Sequence, residues 1–185
     1  MLDTCLKNHL LVAMPSLADP NFHKSVVYIC EHHEDGAMGI AINQPIAYTL
    51  EEMLAHLALD AEADLAESTL FNGGPVQPER GFILHNGSRL WDTTINIAEN
   101  INLTGSKDIL ADIASGNGPS ETVIALGYAG WDSGQLEAEI GANQWLTVPA
   151  DTNIIFKTPY HRQWAASAAK LGIDLNLMSS QIGHA

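Results

Sequence analysis

The stretch Glu31-His32-His33-Glu34-Asp35 sets two imidazoles and three carboxylates in consecutive positions. All of these groups can ligate transition metals or move protons. The spacing works against chelation, because adjacent residues of a strand point to opposite faces and His32 and His33 cannot meet on one ion from regular backbone. The same residues suit a polar hairpin tip. Glu52 and His56 stand four apart and share a face of any helix that contains them. No H-E-x-x-H motif is present, and a solvated helix face accounts for the pair. His85, His161 and His184 are further candidate bases, and Ser133 and Cys30 are candidate nucleophiles. No spacing joins any of these into a triad, which is defined by geometry. A metal-assisted hydrolase would need His32, His33, His85 or Asp132 to converge on one pocket.

Three glycine-bearing segments offer backbone rather than side-chain chemistry. Asn72-Gly73-Gly74-Pro75 can cradle an anion through its N–H groups, but it matches neither phosphate-binding template. Thr104-Gly105-Ser106-Lys107 resembles the end of a phosphate loop without the upstream glycine. Tyr128-Ala129-Gly130-Trp131-Asp132-Ser133-Gly134 reads as a loop between a strand and a helix, where α/β proteins often hold ligands. Its glycines admit a ligand close to the backbone, Trp131 offers a stacking face, and the next helix N-terminus attracts an anion. The other reading of this loop is a tight connection with Trp131 filling a crevice. Its serine falls one place too late for a nucleophile elbow.

These residues need elements to position them. His9–Met14, Ser25–Cys30, Ala37–Ile42, Gly81–His85, Glu121–Gly127, Trp145–Val148 and Asn153–Phe156 have the apolar, β-branched character of strands. Asp35-Gly36 and Asn86-Gly87 are hairpin signals. Asp19-Pro20-Asn21 is a turn, and Gly73-Gly74-Pro75 reverses the chain. Thr49 and Glu52 form a capping box, ahead of a helix with Met53, Leu54 and Leu57 on one side. Leu59–Glu67 is either a second short helix or a loop. Ser106 caps a helix running to about Ala114, ended by Gly116. Asp132 with Gln135 caps the helix Gly134–Asn143. Thr158-Pro159 opens the last helix, with Pro159 at its first position, His161 in its first turn, Trp164, Ala168 and Leu171 on its apolar side, and Gly172 closing it. The mixture lacks strict β-α-β alternation and is hairpin-rich in its first two-thirds. It predicts an α+β domain, a mixed sheet with helices packed on it, rather than a doubly wound parallel fold.

The chain of 185 residues fits one domain spanning 1–185. That length buries about 70% of the surface its unfolded form exposes, enough for a core without metal or disulfide. Against 22 acidic residues there are only eight Lys and Arg, scattered along the chain, and the formal charge is −14. Nucleic acids and anionic membranes both draw their affinity from Lys and Arg, so both are disfavoured as partners. Cys5 and Cys30 make no C-x-x-C pair, residues 1–8 carry no apolar signal core, and no apolar run of about 18 residues occurs. Together these features predict a cytoplasmic protein with a buried Cys30 thiol.

Several phrases fall in one order: Leu11-Val12-Ala13-Met14-Pro15, Ser25 to His32, Gly36-Ala37-Met38-Gly39, Asn72-Gly73-Gly74-Pro75-Val76, Arg80 to His85, Leu126-Gly127-Tyr128-Ala129-Gly130-Trp131, Gly134-Gln135-Leu136-Glu137, Trp145-Leu146-Thr147 and Gly183-His184-Ala185. In these the chain resembles the bacterial YqgE/AlgH family over nearly its whole length. The resemblance implies a bent or split, partly barrel-like sheet flanked by helices. It implies no assigned activity, cofactor or catalytic residue for this largely uncharacterised family, one branch of which carries a transcriptional-regulator label. One departure is Asn43-Gln44-Pro45, where relatives more often place a basic residue before the proline.

The resulting expectation is a non-catalytic binding or regulatory module without cofactor or metal, acting through a protein partner. A small-molecule ligand is a further candidate. The predicted contact surface comprises Asn43, Pro45, Asn72, Gly73, Gly74, Pro75, Tyr128, Gly130, Trp131 and Asp132, provided that their loops meet in space.

Overall fold

Alternating apolar side chains build a nine-stranded sheet: β1 (His9–Ala13), β2 (Val26–His33), β3 (Gly36–Ala41), β4 (Leu70–Asn72), β5 (Val76–His85), β6 (Ile95–Ala98), β7 (Ile101–Thr104), β8 (Thr122–Asp132) and β9 (Trp145–Pro149). The helices are α1 (Leu50–His56), α2 (Lys107–Ala114), α3 (Gln135–Gly141), α4 (Tyr160–Ala169) and α5 (Leu175–Gln181). The computed structural model describes residues 4–181, so the candidate base His184 lies outside the described residues. Strand order is β6-β7-β5-β8-β3-β2-β1-β9 with antiparallel neighbours, and β4 lies beside β8 in parallel. The sheet curls into a half-barrel flanked by helices, an α+β fold.

Period-two alternation sorts the core. In β2, Val26, Tyr28 and Cys30 face one cluster, while Val27 and Ile29 face another. The first face is covered by α4 and α5, through Trp164, Ala168 and Leu175. Trp164 also donates its indole N–H to the Ala13 carbonyl at 2.8 Å. The opposite face carries two separate covers. α1 and α2 pack Leu50, Leu54, Ile109 and Ile113 against Ile83 and Ile124. α3 packs Leu136 among Leu11, Val27, Ala129, Trp131 and Trp145.

β8 joins the two halves. Through residues 122–126 it pairs with β5, and through residues 129–132 with β3. Between them Gly127 has φ +76°. There the alternation slips by one place: Ile124 and Leu126 share a face, but Tyr128 packs on the face that holds Val123 and Ala125. Gly127 in the left-handed region re-aims every side chain beyond it, and the irregularity of the ladder lies on β5 opposite, where Val76 pairs with Tyr128 and Gly81 with Leu126.

The structure corrects several sequence expectations. Asn153–Phe156 is not a strand but part of a π-helical turn, Asn153–Lys157, closed by Thr158 N–H on the Asn153 carbonyl at 2.8 Å. Adjacent Ile154 and Ile155 both enter the same core, which strand alternation forbids. Asn86-Gly87 makes no tight hairpin. β5 pairs with β7, and the intervening loop buries Trp91. Tyr128–Asp132 is strand rather than loop, and β5 begins at Val76. No helix forms over Leu59–Glu67, where Glu62 and Ala63 donate to the Ala114 carbonyl. Pro159 precedes the first helical residue, Leu171 is exposed, and α5 follows α4, so His161 is not on the last helix. Ser106 precedes α2 without bonding its amides, because Asp108 takes that place. Gly134 occupies the position before α3, and the Asp132 side chain caps nothing there. The capping box does form: Thr49 accepts from the Glu52 amide, and Glu52 accepts from the Thr49 amide. Among the described residues no helix is long and apolar enough to cross a membrane.

Candidate functional site

The segments nominated as a contact surface meet in space, through their backbones. Ala41 N–H donates to the Gly73 carbonyl (2.9 Å), Asn72 N–H to the Gln44 carbonyl (2.7 Å) and Gly73 N–H to the Leu126 carbonyl (2.8 Å). Pro45 bridges Phe71. Asn43 is buried and faces inward: its Oδ1 accepts from the Val26 amide and its Nδ2 donates to the Lys24 carbonyl, both at 2.9 Å. Gly73 and Gly74 are buried in the crossing, whereas Pro45, Asn72, Pro75, Gly130 and Asp132 are exposed. Asn72 Oδ1 accepts from the Gly74 amide at 3.1 Å, so this amide is not free for an anion.

Beside the crossing, Tyr128, Gly130, Trp131 and Asp132 line a shallow groove of about 550 Å³ with Glu31, Asp35, Met38 and Val76. Its rim is acidic and its floor is partly apolar. Trp131 offers it little surface. The ring is 6% exposed and packs against Phe22 and Trp145, and its N–H is held by Glu139 at 2.8 Å. It fills a crevice.

A second cleft, of about 870 Å³, gathers Cys5, His32, His33, Glu34, Asp35 and Glu137. His32 there has no free ring nitrogen. Nδ1 accepts from the Leu6 amide at 2.9 Å, so Nε2 carries the proton and donates to Glu137 Oε1 at 2.6 Å. The Glu137 carboxyl is held below the usual carboxylate range by its own backbone amide and by His32. An imidazole with both nitrogens engaged has no lone pair to offer as a base. Asp132 lines the neighbouring groove with His33 but not this cleft. Among the described residues no three His, Cys, Asp or Glu side chains converge as a metal would require.

His85 is fully buried and lines none of these cavities. Its Nδ1 donates to the Asn86 carbonyl (3.2 Å), and its Nε2 accepts from the Thr104 hydroxyl (2.8 Å). Thr104 is bonded in turn to Thr94, which accepts from the Trp91 amide. The chain of bonds ties the loop after β5 to β7. Burial holds the His85 imidazole below its ordinary 6.5, against the opposing pull of the Asn86 carbonyl. Below that pH the unfolded chain therefore binds a proton that the folded one resists. The stability contributed by neutral His85 is complete above about pH 6.5 and is lost as the pH falls toward the depressed value. Denaturation at about pH 7.5 and about pH 5.5 should show a smaller drop for His85→Gln than for the native chain. Equal drops would refute the assignment.

The candidate nucleophiles are also engaged. Burial pushes the Cys30 thiol far above its usual range, and its Sγ lies 3.7 Å from the Tyr28 carbonyl. Ser133 donates its hydroxyl to the Glu34 carbonyl at 2.6 Å, tying the β2–β3 hairpin to the end of β8. Glu52 and His56 form no ligand pair, because the carboxylate serves the capping box while His56 Nδ1 sits 2.8 Å from the Glu52 carbonyl and 2.7 Å from the Tyr48 hydroxyl.

A third cavity was invisible to sequence reasoning. It holds about 410 Å³ between α1, α2 and β5, with Met53, Leu57, Ile83, Leu110 and Leu126 among its apolar walls and Arg80 and Lys107 among its polar ones. The Thr104–Lys107 segment lies at its edge, but its glycine amide is already used: Gly105 N–H donates to Thr93 Oγ1 at 3.0 Å.

Comparison with known proteins agrees with this architecture. The AlgH-like family, DUF179, matches residues 10–176. A UPF0301 protein of Thioalkalivibrio sulfidiphilus is 51% identical over 178 residues, covering 96% of each chain. A UPF0301 protein of Saccharophagus degradans is 52% identical over 180 residues, covering 97% of this chain and 89% of its own. The solution structure of the AlgH protein from Pseudomonas aeruginosa superposes with a TM-score of 0.81 at 46% identity, over 100% of this chain and 98% of the other. A Corynebacterium diphtheriae protein shares the fold at 20% identity, with a TM-score of 0.71 over 93% and 90% of the two chains. The phrases Asn72-Gly73-Gly74-Pro75 and Gly127-Tyr128-Ala129-Gly130-Trp131 thus build the strand crossing on which the fold turns, and the chain belongs to the AlgH-like family.

Proposed function

We propose that this protein is a non-catalytic cytoplasmic binding module that acts through a protein partner. The observation that carries this reading is that His32 and His85, two of the imidazoles nominated for catalysis, have both ring nitrogens committed to protein groups. The molecule also presents a surface groove suited to a partner. The groove lined by Met38, Val76, Tyr128 and Gly130, rimmed by Glu31, Asp35 and Asp132, adjoins exposed Pro75. An acidic rim around an apolar floor suits a partner with a basic, partly apolar segment, since complementary charge sets specificity and association rate. The formal charge of −14 makes direct contact with DNA a poor alternative. A transcriptional effect would therefore pass through the partner.

Affinity capture on the native protein and on an Asp35→Lys/Asp132→Lys variant tests this. The reading predicts a protein retained in stoichiometric amount by the native chain and released by salt, and lost from the charge-reversed variant. Equal retention by both proteins, or none by either, would overturn it.

A further inference from the structure

The cavity between α1, α2 and β5 plays no part in the function proposed above. Its walls are apolar, from Met53, Leu57, Ile83, Leu110 and Leu126. Its polar lining includes two of the eight Lys and Arg of the chain, Arg80 and Lys107. The ion pairs among the described residues use His32, Arg89, Lys157 and Lys170, and neither Arg80 nor Lys107 enters one. Arg80 Nη1 donates to Gln77 Oε1 at 3.3 Å and its guanidinium lies over the Phe82 ring, neutral contacts that leave its charge uncompensated. In a protein with 22 acidic residues, two cations outside those ion pairs beside one apolar cavity are a marked feature. Both flank the same turn: a Arg80 Nη2 atom stands 3.6 Å from where a Gly105 Cβ would lie, two places before Lys107. Glu79 is the one carboxylate in the lining, so the charge there is positive on balance. Two of the backbone amides at this turn are used, Gly105 N–H by Thr93 and Ile109 N–H by Asp108, and the two cationic side chains are the groups that single out an anion here.

We infer that this cavity binds a small anionic amphiphile, a carboxylate or phosphate head on a medium-length apolar body. The head sits at Arg80 and Lys107, and the body lies along Met53, Leu57 and Leu110. The volume of about 410 Å³ falls in the range of small-ligand sites. Apolar walls with a few placed polar groups are what such sites use to combine affinity with orientation.

The test titrates the full chain with octanoate, octyl phosphate and octan-1-ol, read by melting temperature and by amide chemical shifts. Both anions are expected to bind at least about ten-fold tighter than the alcohol. Arg80→Gln/Lys107→Gln is expected to weaken both anions about ten-fold or more while leaving the alcohol unchanged. Arg162→Gln, which removes an exposed cation outside the cavity, should change nothing. Leu57→Trp, which fills the cavity, should abolish binding of all three probes. The shifted amides should lie on α1, α2 and β5. The better of the two anions assigns the head group. Equal affinity for alcohol and anions, undiminished binding by the doubly neutralised variant, or no binding by the native chain would each overturn the inference. Arg80→Lys separates charge from fold: it should keep most of the anion affinity if the charge is what matters.

Discussion

Gly127→Ala is expected to cost this protein more than about 3 kcal/mol, a large share of the roughly 5–15 kcal/mol that holds a typical domain. A Cβ at this position would stand 2.4 Å from the Gly74 carbonyl oxygen, 3.1 Å from that of Val76 and 3.2 Å from Pro78 Cα. These are backbone atoms and cannot rotate aside. The obstruction is reciprocal, because a Cβ on Gly73 would meet the Gly127 carbonyl oxygen at 2.2 Å and one on Gly74 would meet the Tyr128 carbonyl carbon at 2.1 Å. Relief requires moving β4 and the start of β5 away from β8, which breaks the Gly73–Leu126 hydrogen bond and disturbs the β4–β8 pairing. The φ of +76° adds about 1–2 kcal/mol for any residue with a side chain. Gly134→Ala isolates that last contribution, since Gly134 has φ +73° and nothing within 4 Å of its would-be Cβ. It is expected to lose only about 1 kcal/mol. Denaturant midpoints measured at constant m-value would decide. Similar losses for the two variants would mean that the crossing is looser than its distances imply.

The same crossing shows why the sequence was legible in some places and opaque in others. The Thr49–Glu52 capping box and the β2–β3 hairpin depend only on residues a few places apart, and both form, with the hairpin turn at Glu34-Asp35, one place before the expected Asp35-Gly36, and Gly36 paired with His33. Gly127 and Gly130, by contrast, give their segment the look of a loop, while their surroundings make it strand. The cause is long-range: Gly73 and Gly74 approach from a distant part of the chain, and nothing local to Tyr128 records their arrival. Ile154-Ile155 carries strand propensity, but Asp151 accepts from the Asn153 amide and Gln163 donates to the Ile154 carbonyl, and together they hold a helical turn. Propensity yields to such tertiary contacts. Of the nominated surface, the meeting of the three segments was an assumption at the level of sequence, and the structure supplies it. Arg80 and Lys107 belong to different elements, and no motif pairs them; only the packing of α2 beside β5 does.

Glu139→Ala is expected to destabilise the fold by about 2–5 kcal/mol, and Glu139→Gln by only about 1 kcal/mol. One carboxyl oxygen, Oε2, accepts from both Trp131 Nε1 at 2.8 Å and Trp145 Nε1 at 2.9 Å. The two indoles are 6% and 3% exposed and stand edge to face with centroids 6.1 Å apart. They come from β8 and β9, which are not neighbours in the sheet: β3, β2 and β1 lie between them. Glu139 on α3 therefore ties the far edge of the half-barrel to its central strand across the intervening three. Alanine leaves two buried N–H groups without an acceptor, and each such loss costs about 1–3 kcal/mol. Glutamine keeps an oxygen with two lone pairs and can serve both donors. It loses the added strength of an ionised acceptor and, where Oε1 becomes an NH2 group, the exposed bond from Gln135 Nε2. Tryptophan fluorescence should report the difference directly, with a red shift in Glu139→Ala as water reaches the indoles and little change in Glu139→Gln. Equal destabilisation by the two variants would show that the negative charge, rather than the accepting oxygen, holds the two tryptophans. In that case the bond from Gln135 Nε2 to Oε1, at 3.1 Å, would matter as much as those from the indoles.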